Sequence, residues 1–186
     1  GAEISEKDNK MLFWTMFLGC IIGYGLSVLW MKLPIWIFVL IVLGTILQTF
    51  GAVRLYGLVK ANWGKLVVNW SPMQRFALLF AGFAFMVKIA LQLGSNIPQI
   101  NQFAFGFRNI VIAYLHLVLL MCISTFLVSQ ILATNYFQIK KTLLLGLKLF
   151  LIGVFLNEAI LGLMGIFSIQ YISVPYSAYG LFLVSV

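Results

Sequence analysis

The sequence predicts an all-α, polytopic transmembrane helical bundle with five complete helices and a truncated sixth. Three observations carry this. Of the 186 residues, 63% are hydrophobic and only 9% charged. A soluble domain is roughly half apolar and about a quarter charged, so this chain lacks the polar side chains to cover a globule in water. Apolar runs of the length that crosses a ~30 Å hydrocarbon layer recur along it. The prolines, Pro34, Pro72, Pro98 and Pro175, fall at or outside the ends of those runs, where helix punctuation belongs. A soluble enzyme, a nucleic-acid-binding domain, a disulfide scaffold and a disordered chain are all excluded.

The first element follows a polar segment, residues 1–10 (GAEISEKDNK), and spans Met11 to Met31. The second covers Pro34 to Val53, with Pro34 in the first turn, where a missing N–H costs little. Residues 54–71 (RLYGLVKANWGKLVVNWS) mix basic and aromatic side chains with aliphatic ones. They read either as a short amphipathic helix on the membrane surface or as a basic loop. The third helix is Met73 to Leu93, introduced by Ser71-Pro72; the fourth is Arg108 to Ala133 and the fifth Thr142 to Phe167. A sixth apolar stretch begins near Tyr176 and is still apolar at Val186. That is too short to span a bilayer. The chain therefore reads as a piece of a longer protein, with one transmembrane domain over residues 11–186.

Lys and Arg number 12 against 4 acids, a net charge of +8. The basic residues are scattered singly between apolar runs, which sets nucleic acid aside as a partner and points to topology. Arg54, Lys60, Lys65 and Arg75 lie between the second and third helices, and Lys140 and Lys141 between the fourth and fifth, with Lys148 just beyond. The opposite connections hold only Lys32 and Arg108. The N-terminus and both basic segments are thus expected on the cytoplasmic side, in a bacterial inner membrane. Trp30, Trp36, Trp63 and Trp70 flank helix ends, where amphipathic rings favour the headgroup layer. Cys20 and Cys122 sit in apolar runs without metal or redox spacing and read as small packing residues.

An ionisable side chain within lipid costs roughly 2.5–3.5 kcal/mol and needs a reason. Lys88, His116 and Glu158 are the three within the predicted helices that stand out. Lys88 shares a helical face with Ala81, Ala84 and Gln92, a face suited to other helices rather than lipid. Its stem can also carry the charge toward the interface. Glu158 follows Asn157, and Gly162 and Gly165 place small residues on its face, which would let another backbone approach. A carboxylate there either pairs with a cation or holds a proton. His116 is the single histidine, with Asn109 one heptad earlier and Leu120 and Ile123 beyond it on the same α-helical face. It reads as a haem ligand, a proton relay or a hydrogen-bonded packing residue. At about 1.5 Å per residue, Lys88, His116 and Glu158 lie ~9, ~12 and ~15 Å from the outer ends of their helices. They share one layer, with Asn157 and Tyr114 beside them. Too few ligands are present for a protein-only zinc or copper site.

The run RNIVIAYLHLVLLMCIS, Arg108 to Ser124, resembles the haem-ligating helix of haem-copper oxidase and nitric oxide reductase large subunits. In that family the helix carries His-x-His and then a small residue. His116 matches the second histidine, Tyr114 stands in place of the first, and Met121 occupies the approximate place of the small residue. The resemblance implies a haem-binding membrane subunit with His116 as ligand, and Tyr114, Lys88, Asn157 and Glu158 serving hydrogen bonding or proton movement. Two other readings stand on the residues alone. One is a proton-coupled or small-solute transporter using Lys88 and Glu158; the other is a structural or assembly subunit with no site of its own. The expected partners are the lipid bilayer and further membrane segments, of this chain or of other subunits.

Overall fold

The structure is a computed structural model that describes residues 6–25, 34–68, 70–97, 99–101, 106–133, 141–169 and 177–185. Every regular element among them is helical: α1 (Glu6–Gly23), α2 (Ile35–Leu66), α3 (Pro72–Gly94), α4 (Arg108–Ala133), α5 (Lys141–Ile169) and α6 (Ser177–Ser185). The four helices from α2 to α5 are long and apolar enough to cross a membrane. The expected crossing from Met11 to Met31 continues into residues outside the described ones, as do Trp30, Lys32, Pro98, Lys140, Pro175 and Tyr176.

The helix α1 begins at Glu6, ahead of the apolar run. Glu6 and Asp8 in its first turn complement the positive end of the helix dipole. Lys10 Nζ reaches Glu6 Oε1 at 2.7 Å, one turn back. Residues 54–71 form neither a loop nor a separate short helix as far as Leu66. Instead α2 runs unbroken past Arg54 and Lys60 to Leu66. No proline interrupts it, and its two interior glycines there, Gly57 and Gly64, weaken a helix by only about 1 kcal/mol each. An established ladder therefore propagates through them. Its 32 residues reach ~48 Å at 1.5 Å per residue, well beyond the hydrocarbon thickness.

The helix α3 opens on a reciprocal cap. Ser71 N–H donates to Gln74 Oε1 at 2.7 Å, and Gln74 N–H donates to Ser71 Oγ at 3.3 Å. Pro72 fills the first helical position, which needs no donor. The bounds of α4 match those expected, but its interior does not. Arg108–His116 is α-helical, Leu117–Ser124 is π-helical, and Thr125–Ala133 is α-helical again. The widened turns are met by hydroxyls: Ser124 Oγ donates to the Leu119 carbonyl five residues back at 2.9 Å, and Thr125 Oγ1 donates to Met121. Each π turn takes an extra residue, so the α-helical spacing that set Ile123 on the face of His116 does not apply beyond Leu117.

The chain forms two compact units, Gly1–Asn69 with Ile89–Phe103, and Trp70–Lys88 with Ala104–Val186. In the first, α1 and α2 approach closely because glycine faces them. A Cβ at Gly44 would lie 2.5 Å from Ile22 Cγ2, and one at Gly19 would lie 3.0 Å from Gln48 Cβ. Bare backbones in contact are the common means of joining membrane helices, where lipid competes for apolar side chains. In the second unit the helices meet through side chains. Ala77 packs with Leu147 and Leu151, and Ala84 with Met121 and Val154. Gln74 Nε2 donates to the Leu132 carbonyl, joining the start of α3 to the end of α4.

Large apolar side chains such as Leu43, Phe83, Leu119, Leu149 and Phe155 remain exposed. At most 33% of any crossing window is buried within the chain. So large an exposed apolar surface suits lipid rather than water.

Candidate functional site

In the second unit, α4 and α5 run antiparallel, with pairs that rise along one helix and fall along the other. Asn109 Nδ2 donates to Ser168 Oγ at 2.7 Å, Gly165 faces Ile110 with a would-be Cβ at 3.5 Å, and Met121 packs with Val154. His116 and Asn157 fall between these pairs. The Asn157 amide nitrogen and His116 Nδ1 lie 3.0 Å apart. This bond joins two residues that the sequence could only assign to a common depth.

Lys88 and Glu158 occupy the same level by register. Ala84 and Val154 pack together with Met121, and Lys88 and Glu158 each stand one helical turn further along their helices. The face of α3 expected to bury is buried at Ala81 and Ala84, and Lys88 itself is half-buried. Glu158 is half-buried, and its Oε1 is shielded from solvent without a hydrogen-bond partner. Tyr114 is half-buried on α4. The small-residue stripe beside Glu158 does less than its sequence suggests. Gly165 makes ordinary contact with Ile110, whereas a Cβ at Gly162 would meet nothing within 4 Å.

His116 is exposed, and its orientation bears on haem. If the Asn157 amide nitrogen donates to Nδ1, the ring proton is carried on Nε2. An axial ligand must offer a lone pair at Nε2, so in this arrangement His116 presents a donor, not a ligand. Ligation would require the amide turned over, with Oδ1 accepting from Nδ1–H. Among the described residues no three His, Cys, Asp or Glu side chains are grouped to hold a metal ion.

The first unit holds buried polar groups of which the sequence reading noted only Gln92, on the face of Lys88. Thr45, Gln48, Gln92 and Asn101 are each buried, at 1%, 2%, 5% and 1% exposure. Thr45 and Gln48 lie one turn apart inside an apolar run bracketed by Gly44 and Gly51. Buried amides beside helix-joining glycines were the available signal.

No protein family, curated protein or solved structure matches the chain. Its function is therefore argued from its own residues.

Proposed function

We propose that this is an integral membrane protein whose second unit moves protons, alone or with a small solute, through the layer formed by Lys88, His116, Asn157 and Glu158. The observation that carries the reading is the solvent-shielded Glu158 Oε1 without a hydrogen-bond partner, on the same turn as the Asn157–His116 bond. A short carboxylate in a low-dielectric layer must take a proton or a cationic partner, and it cannot reach the headgroups. Imidazole and lysine at the same level are groups that exchange protons with it. The charge asymmetry supports a cytoplasmic N-terminus, with the layer in the outer half of the bilayer.

The test is proton flux into vesicles loaded with a pH-sensitive dye under an imposed potential. The wild-type chain is expected to carry flux above that of protein-free vesicles. Glu158→Gln is expected to lower that flux about tenfold, and a wild type no leakier than empty vesicles ends the reading.

Haem ligation by His116 is the second reading, supported by the resemblance of Arg108–Ser124 to a haem-ligating helix. It needs the Asn157 amide reversed. A purified chain without a Soret band, or with one unchanged in His116→Ala, removes it.

A further inference from the structure

Among the described buried polar groups of the first unit, some side-chain oxygens receive no hydrogen bond. The Thr45 hydroxyl lies 2.9 Å from the Ile41 carbonyl and 3.1 Å from Asn96 Oδ1, and its single proton can serve only one of them. Gln48 spends an amide proton on Cys20 Sγ, at 2.8 Å. Asn101 spends one on the Ser95 carbonyl, at 3.1 Å. Two carbonyl oxygens then remain shielded from solvent without hydrogen-bond partners, Gln92 Oε1 and Asn101 Oδ1. Leaving a buried acceptor unmade costs about 1–3 kcal/mol, so two in one small region call for a ligand.

The surroundings define that ligand. Gly23 on α1 lets the two amides approach its backbone: a Cβ there would lie 3.0 Å from Gln92 Nε2 and 3.8 Å from Gln48 Oε1. The same region contains the C-terminus of α3 at Gly94 and the turn through Ser95 and Asn96 that follows it. A helix C-terminus carries partial negative charge and favours a cation. Both described acids of this unit are engaged elsewhere, Glu6 by Lys10 and Asp8 by Arg54. A site of neutral oxygens with no carboxylate compensates one positive charge far better than two.

We infer that Gln92, Asn101, Asn96 and Thr45 form a binding site for a monovalent alkali cation in the first unit, independent of the proton reading for the second. The site takes sodium or potassium through carbonyl and hydroxyl oxygens, as unwound helix ends do in membrane proteins. An ordered water is the competing occupant.

The experiment is thermal unfolding of the full chain in detergent, in sodium, potassium or N-methylglucamine chloride at constant ionic strength. Binding to the folded state predicts a saturable rise in Tm with sodium or potassium over N-methylglucamine. Gln92→Leu and Asn101→Leu are expected to raise the half-saturating concentration about tenfold or more. Asn62→Ala, on the distant end of α2, is expected to keep the wild-type response. If the leucine variants fail to fold, Gln92→Glu replaces them, and a carboxylate there should tighten cation binding. Equal Tm in all three salts overturns the inference and leaves water as the occupant. So does a cation response that every variant at the site retains unchanged.

Discussion

The two units solve the same problem, joining helices in a solvent as apolar as their own side chains, by opposite means. In the first, α1 and α2 touch through missing side chains: Gly19 lies against Gln48, Gly44 against Ile22, and Gly51 against Met16. In the second, helices touch through side chains that fill space, Leu147, Leu151, Met121 and Val154 over the small Ala77 and Ala84. The polar content differs only in part. Both units bury neutral amides and hydroxyls, Thr45, Gln48, Gln92 and Asn101 in the first and Gln74, Thr125 and Ser129 in the second, but the half-buried Lys88 and Glu158 belong to the second.

If that contrast is right, removing carbon should damage one unit and adding it should damage the other. The largest effect is expected from Leu151→Ala, at 3% exposure in the second unit. A cavity there should lower stability by about 2–4 kcal/mol, read as a fall in the unfolding midpoint in detergent. Adding one methyl in the first unit comes next. Gly44→Ala would place a Cβ 2.5 Å from Ile22 Cγ2 and 3.3 Å from the Gly23 nitrogen, and should cost about 1–3 kcal/mol. A midpoint equal to wild type for Gly44→Ala would break the comparison. The smallest effect has the opposite sign. A Cβ at Gly82 would meet nothing within 4 Å, so Gly82→Ala should raise stability by up to about 1 kcal/mol through helix propensity alone.

The crossings from Pro72 onward were legible because apolar length, the Ser71-Pro72 signal and the polar flanks all mark the same boundaries. The extension of α2 was not, since basic residues after an apolar run signal a membrane edge and say nothing about whether the helix continues. The π-helical segment was not legible either. Its composition, LVLLMCIS, is that of an ordinary α-helix, and only hydrogen bonds such as Ser124 to Leu119 distinguish it. For the site, depth was readable from position along each helix, but partnership was not. Asn157 and His116 are separated by 41 residues, and their bond depends on the antiparallel register of α4 and α5. The polar groups of the first unit other than Gln92 were missed for a different reason. Uncharged amides attract little notice in an apolar run, although their burial without partners is what makes Gln92 and Asn101 informative.

The continuity of α2 also ties bilayer thickness to the first unit. The helix carries Thr45 and Gln48 on the same rigid rod as Arg54, Lys60 and Lys65, which seek the headgroup layer. A thinner or thicker membrane is met by tilting such a rod, at fractions of a kcal/mol per Å of mismatch. Tilting it as one body turns Gln48 and Gly44 against α1, where a few tenths of an ångström separate contact from clash. A continuous α2 thus links the level of its basic residues to the level of its contacts with α1.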